Sequence, residues 1–465
     1  MSDILIRRAR IFTMDARRRY LPNGAIVIRG NRIVKVGDTD QIEKDYDADC
    51  VVDAENKIVL PGLINGHDHY EQSFMKGLVR LFPKTTAEWI KSFKIPLTRE
   101  MRAEDYYYSS MIACLEMIRS GITCGVNDVC QQDPTKVRAF GLDKAAQAVA
   151  ETGVRTLVAI NAADRFEPSD FLLTPEEATD LADWSIQRWN GKESGRIRVW
   201  TGVAGAFSAT PKLWTAMRSL AEERGLGLHT HIEGGEVEEP YTNGNLGPAI
   251  TGAHCVWLSE KEVDIIAKTR SKAVHCPTYK LSYSIDHEVH KFGDGIAPIS
   301  DLVARGVTTG LGTDGCMGDT RDMFREMRNL AFTQHYKMRD KTLFPPTKLL
   351  EMATLDCAKT MSWDDQIGSI EPGKKADIAV VDSTKANTVP WTNALACLVY
   401  LVSGSDVETV VIDGKIVMEN RKIKTVDENE ILRKAQSAAE ALIERAGLKS
   451  LETKGLDPWC SNYRF

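Results

Sequence analysis

The sequence predicts an α/β protein: a (β/α)8 barrel of the TIM type, joined to a small β-sandwich domain built from both chain ends. Three observations predict it. Short apolar runs alternate with helical patterns through the middle of the chain. Both ends carry β-branched runs punctuated by turn residues. Histidines and one aspartate recur at the ends of the middle runs, where a barrel of this kind builds its active site.

The 465 residues exceed the usual size of a single core. Hydrophobic residues make up 43% and charged residues 27%, an ordinary globular balance. A net charge of -6, with no basic run, predicts no nucleic-acid partner. The ten cysteines are scattered and form no Cys-x-x-Cys pair, so neither a disulfide framework nor a structural zinc knot is expected. The N-terminus lacks the apolar core of a secretion signal, and no run approaches the ~20 apolar residues of a membrane span. A cytoplasmic protein with no membrane partner is the expectation.

Residues 1–58 read as strands: Ile4-Leu-Ile6, Ala25–Ile28, Arg32–Val36 and Val51-Val52, with turns at Asn23-Gly24, Gly30-Asn31 and Gly37-Asp38. This piece is too small to bury two faces alone. Residues 371–425 offer the partner, with Ile378–Val381, Val407–Ile412, a hairpin signal at Asp413-Gly414 and Lys415–Asn420. One composite β-domain, 1–58 with 371–425, is therefore expected, with 59–370 inserted as the barrel and 426–465 as a C-terminal helix and tail.

Within 59–370, barrel strands are expected at Leu63-Ile64 (where an apolar run from Ile58 resumes after a turn at Pro61-Gly62), Thr123–Asn127, Thr156–Ile160, Arg198–Val203, Gly227–Ile232, Ile250–Cys255, Ala273–Cys276 and Thr308–Gly312. Helices are expected at Arg102–Ser120, Asp143–Thr152, Pro175–Trp189, Lys212–Arg224 and Glu260–Ala267, and beyond the barrel at Glu428–Ala446.

The strand ends carry the chemistry. Leu63-Ile-Asn-Gly-His-Asp-His69 closes in His67 and His69, and on an extended segment residues i and i+2 share a side. His229 and His231, His254, His275 and Asp314 end four further strands. Six of the nine histidines thus fall at expected strand ends; His287, His290 and His335 do not. Core or surface histidines would scatter. Three imidazoles and a carboxylate suit one divalent ion with an open position for water, and zinc, iron, cobalt and manganese all meet that description. Asp314 can ligate and also take a proton from the attacking water, while a further His can hold developing charge on a substrate.

These motifs resemble the amidohydrolase superfamily of metal-dependent hydrolases. The resemblance covers residues 1–425 and rests on Pro61-Gly-Leu-Ile-Asn-Gly-His-Asp-His69, His229-Thr-His231, Ala253-His-Cys255, Leu311-Gly-Thr-Asp-Gly315 and Gly368-Ser-Ile-Glu-Pro-Gly-Lys-Lys-Ala-Asp377. It implies metal ligands at His67, His69, His231 and Asp314, catalytic roles for Asp314 and His254, and a supporting role for His229. No lysine ends Ile197–Val203, where a carbamylated lysine would bridge two ions, so a single ion per chain is implied.

Within the superfamily the chain is similar to the branch of cytosine deaminase, S-adenosylhomocysteine deaminase and atrazine chlorohydrolase. It departs from that branch at Gly234, where a Glu is usual, with Glu233 and Glu236 on either side. Protonating a ring nitrogen needs such a Glu; polarising the carbonyl of a urea or carbamate does not. The subgroup it resembles by this feature is that of phenylurea hydrolases and molinate (thiocarbamate) hydrolase. That resemblance implies hydrolysis of an N-substituted urea, carbamate or thiocarbamate, xenobiotic substrates among them, with cobalt or zinc as the favoured metal. His275 joins His254 as a candidate for holding the oxyanion. The alternative is an aminohydrolase or chlorohydrolase acting on an N-heterocycle, with Glu233 or Glu236 as proton donor. A homo-oligomer, dimer or tetramer, acting on a small molecule is expected. Glu233, Asn127, Trp89 and His229 are the candidate substrate contacts. For Trp89, helix packing is the competing reading; Asn127 and Asp128 close the Gly125-Val126 strand and either face the site or form a plain turn.

Overall fold

The computed structural model describes residues 3–77, 89–129, 132–283, 296–316 and 319–451. Five strands open the chain: β1 (Ile4–Phe12), β2 (Tyr20–Arg29), β3 (Arg32–Asp38), β4 (Cys50–Asp53) and β5 (Lys57–Pro61). Eight follow round a nearly closed parallel barrel: β6 (Leu63–Asn65), β7 (Ile122–Val129), β8 (Arg155–Ala162), β9 (Ile197–Val203), β10 (Leu228–Glu233), β11 (Ile250–Val256), β12 (Lys272–His275) and β13 (Thr309–Leu311). Every residue of β7 and β8 is buried, as strands covered on both faces require.

Helices cover the barrel, and their ends follow local chemistry. Pro175–Trp189 starts at a capping box between Thr174 and Glu177 with Pro175 in its first turn. Pro211–Arg224 is capped by Thr210 and stops at Gly225, whose φ of 65° ends the helix. The helix Met323–Met338 goes beyond the expected set.

The last four strands are β14 (Ile378–Asp382), β15 (Val407–Ile412), β16 (Lys415–Glu419) and β17 (Lys422–Ile423). They join the first five in one mixed sheet, ordered β17-β16-β15-β14-β5-β1-β2-β3 with β4 beside β1. The two chain ends meet where β14 pairs antiparallel with β5, from Ile378 opposite Pro61 to Asp382 opposite Lys57. The apolar run from Ile58 is divided at the Pro61-Gly62 turn, with Lys57–Pro61 in the mixed sheet and Leu63–Asn65 in the barrel. The Gly62 N–H bonds Asp377 O on the sheet side and the Leu63 N–H bonds Gly121 O on the barrel side, so the chain changes layer between them. We propose the three-part division read from sequence, with the first crossing at Gly62.

The mixed sheet docks on the barrel end opposite the histidines. Arg155, at the start of β8 and fully buried, forks onto Asp377 at 2.8 and 3.1 Å and reaches Asp413 at 3.3 Å. The helix Glu428–Arg445 buries Ala435, Ala438 and Leu442 in a cluster with Tyr106, Tyr108 and Trp89. Among the described residues, no helix is long and apolar enough to cross a membrane.

Candidate metal centre and active site

The barrel seam between β13 and β6 is closed by the residues that follow the two strands. The Gly66 N–H bonds Leu311 O at 2.9 Å, and the N–H groups of Thr313 and Asp314 bond His67 O at 3.2 and 2.9 Å. Gly312 permits this approach: a Cβ there would stand 2.8 Å from the His67 nitrogen. Residues 245 to 247 positions apart in sequence thereby bring His67, His69 and Asp314 together. His69 Nε2 lies 3.4 Å from Asp314 Oδ1, and His67 Nε2 lies 3.9 Å from the same oxygen.

Backbone carbonyls set the imidazole tautomers. His69 Nδ1 donates to Asp128 O at 2.8 Å, and His231 Nδ1 donates to Ala204 O at 2.9 Å. Each neutral ring then carries its lone pair on Nε2. His67 Nδ1 stands 2.9 Å from His229 Nε2, and His67 Nε2 is buried without a hydrogen-bond partner. Burial holds the imidazoles of His67 and His69 well below the usual histidine range and pushes His229 down to about 3. Neutral imidazoles with aimed lone pairs are what a divalent ion requires of its ligands. One ligand atom from each of His67, His69, Asp128 and His231 lies within 4.8 Å of the others, and a second such group joins His67, His254 and Asp314. The donor set therefore fits a metal ion.

Two of these residues hold strained backbone. His254 has φ 75° and Asp314 φ 59°, left-handed values that cost a non-glycine residue about 1–3 kcal/mol each. The surroundings hold both: the Asp314 N–H is tied to His67 O, and His254 O accepts His275 Nδ1 at 2.9 Å. His254 Nε2 comes within 3.5 Å of Asp314 Oδ2, and its ring stacks on Tyr279.

The remaining candidates take different places. His275 supports the His254 backbone. The Asn127 side chain accepts the Tyr70 N–H at 3.1 Å and borders a small pocket with Glu71 and Tyr106. Trp89 is buried among Phe74, Phe93 and Leu97, beside the C-terminal helix. Glu233 ends β10 half-buried. Gly235, with φ 88°, turns the chain back so that Glu236 Oε2 accepts the Glu233 N–H at 3.2 Å. That oxygen stands 3.8 Å from where a Gly205 Cβ would be, as does the His231 Cβ. Position 234 is closed to any side chain: a Cβ there would lie 2.0 Å from Trp257 O. Cys316 is buried next to Asp314. His287, His290 and Met317 lie outside the described residues.

Two residues carry weight that sequence reading did not assign, and a third, Asp128, was read with Asn127 as either facing the site or a plain turn. Asp128 joins the histidine cluster, with Oδ2 3.8 Å from both His67 Nδ1 and His231 Nε2; its place at the end of the second barrel strand was the available signal. Arg321, which no motif announces, forks onto Asp68, the residue between the two histidines of the first motif, to which no role was assigned.

Residues 58–417 match the amidohydrolase family. The chain belongs to that family. It is accordingly a metal-dependent hydrolase. It is 31% identical to a 5'-deoxyadenosine deaminase of Methanosarcina acetivorans over 463 residues, covering 96% of this chain and 100% of the relative. It is also 31% identical to a 5-methylthioadenosine/S-adenosylhomocysteine deaminase of Thermoanaerobacter pseudethanolicus, covering 95% and 100%. Among solved structures it superposes on a zinc-bound adenosine deaminase from Xanthomonas campestris with a TM-score of 0.83 at 23% identity, covering 95% of this chain and 99% of the other. A zinc complex of atrazine chlorohydrolase from Arthrobacter aurescens superposes with a TM-score of 0.83 at 22% identity, covering 94% and 100%. These findings bear out the amidohydrolase resemblance and its deaminase–chlorohydrolase branch. The finer likeness to phenylurea and molinate hydrolases gains no support from them.

Proposed function

We propose that this amidohydrolase is an aminohydrolase that removes an exocyclic amino group from an N-heterocycle, with an aminopurine nucleoside as the first substrate to test. The observation that carries this reading is the end-to-end similarity to 5'-deoxyadenosine and 5-methylthioadenosine/S-adenosylhomocysteine deaminases. His67, His69, His231 and Asp314 would hold one divalent ion, zinc or cobalt, with Asp128 able to contribute. The ion, when bound, acidifies water and polarises the substrate.

The chain's own groups do the rest. Asp314 takes the proton of the attacking water at Oδ and returns it to the departing nitrogen. His254 Nε2, within 3.5 Å of Asp314 Oδ2, would stabilise the charge that develops on the oxygen added to the reacting carbon. Glu236, folded back by Gly235, is the acid within reach of β10's end that can protonate a ring nitrogen.

A second reading has one observation behind it. Position 234 cannot hold an acid, because Trp257 O fills the space of its Cβ. A urea, carbamate or thiocarbamate needs no ring-protonating acid, so its hydrolysis would proceed with Asp314 and His254 alone. The deciding experiment is kcat/KM on one preparation for 5'-deoxyadenosine, a chlorotriazine, a phenylurea and a thiocarbamate. Faster turnover of either carbonyl compound than of both heterocycles replaces the first reading with the second. Under the first, Glu236→Gln should lose about 100-fold or more on the aminopurine.

A further inference from the structure

The two strands that lead into His67, His69 and Asp314 are barrel neighbours without a strand ladder between them. The order of the eight-stranded sheet begins at β13 and ends at β6. A side-chain brace spans this gap, and Arg321 is its centre. Asp68, between the two histidines, is fully buried. Its Oδ2 accepts Arg321 Nε at 2.6 Å and Asn65 Nδ2 at 3.1 Å. Its Oδ1 accepts Arg321 Nη2 at 2.9 Å and the His69 N–H at 2.7 Å. Asn65 then reaches across the seam: its Oδ1 accepts the Thr313 N–H at 2.9 Å and its Nδ2 donates to Thr313 Oγ1 at 2.7 Å. Thr313 precedes Asp314.

Arg321 is itself anchored from outside the barrel. Its Nη1 donates to Glu116 Oε2 at 2.9 Å and its backbone N–H to Glu116 Oε1 at 3.2 Å. Glu116 sits on the helix Ala103–Arg119 and is also paired with Lys76 at 2.8 Å. Two carboxylates and two cations nearly cancel, so the group adds little net charge beside the histidines. It supplies direction: a planar fork fixes the carboxylate plane, and the carboxylate fixes the peptide between His67 and His69.

A buried ion pair seldom adds stability over apolar side chains of the same volume, because desolvating both charges offsets their attraction. Its presence at the seam calls for another account. We propose that Arg321 is a positioning residue for the metal centre: through Asp68 it aims His69 and, through Asn65 and Thr313, it keeps Asp314 in register with His67. The proposal rests on the metal reading of the site and assigns no substrate.

The test measures metal, not turnover. Arg321→Lys keeps the charge and loses the fork. Zinc- and cobalt-loaded full-length parent and variant are challenged with a chelator, and the visible absorption of the cobalt forms is compared. Expected are a metal release about 10–100-fold faster in the variant and an altered cobalt spectrum, with the circular dichroism unchanged. Should Arg321→Lys not fold, Asp68→Asn/Arg321→Gln removes both charges at similar shape and is expected to show the same release. A folded variant that releases metal at the parent's rate with the parent's cobalt spectrum overturns the proposal. So does failure of both variants to fold, which would make the pair a folding element. A parent that takes up neither metal overturns the metal reading as well, and so differs from failure of the brace alone.

Discussion

His67 Nδ1 and His229 Nε2 stand 2.9 Å apart, their ring planes inclined by 21°. If Nδ1 carries the proton, His229 accepts it and His67 Nε2 is left as the lone pair facing Asp314. His229 then selects the tautomer of a metal ligand without touching the metal. His229→Ala should lower metal affinity by about 10–100-fold, measured by chelator competition. An unchanged affinity would return His229 to simple packing.

One divalent ion per chain is expected. β9, Ile197–Val203, has no lysine to bridge a second ion, and the candidate donors converge around His67. Elemental analysis of purified protein checks the count. His67→Ala should lose most of the metal; two ions per chain, or full retention in that variant, contradicts the assignment.

His254→Asn should abolish turnover and keep most of the metal. The side chain lies 3.5 Å from Asp314 rather than at the centre of the His67–His69–His231 group. The expected loss is about 100-fold or more in kcat. Metal loss equal to that of His231→Ala would make His254 a ligand.

Gly234→Ala should destabilise the fold by about 1–3 kcal/mol or more, since the added methyl meets a backbone oxygen that has no freedom to leave. Thermal unfolding of parent and variant at one pH gives the answer. A variant as stable as the parent would show that the β10–β11 corner can open, and with it a place for an acid at position 234.

Glu326 ties stability to pH. Burial pushes its carboxyl up to about 7, from an ordinary 4.5, while it accepts the Thr278 N–H at 2.9 Å. The folded chain binds this proton more tightly than the unfolded chain does. The contribution is complete below about 4.5 and is lost as pH rises through about 7, by at most about 3 kcal/mol. Glu326→Gln keeps an acceptor and removes the titration, so its Tm should fall less than the parent's between pH 5.5 and 8. Parallel Tm profiles would show that Glu326 does not control this range.

Most of the barrel was legible because its strands repeat one pattern, an apolar run ending in a polar residue. The helix Pro175–Trp189 was legible to the residue because Thr174, Pro175 and Glu177 form a start signal within four positions. The sheet that Val59–Pro61 joins was not, because an extended apolar segment looks the same in either one. Only the partner decides, and the partner of Lys57–Pro61 is Ile378–Asp382, more than 300 residues away.

The sequence by itself determined the residue types of the centre and their places on or just after barrel strands: His67, His69, His229, His231, His254, His275 and Asp314. Local spacing is enough for that, since strand periodicity sets which side chains share a side. Tertiary structure alone decided which ones meet. It set His275 behind His254, brought Asp128 up to the histidines, packed Trp89 under the C-terminal helix and closed position 234 with Trp257 O. Arg321 and Asp68 show why. Their pairing depends on β13 folding back beside β6, a contact between segments some 250 residues apart, and no local pattern encodes a distance that only barrel closure creates.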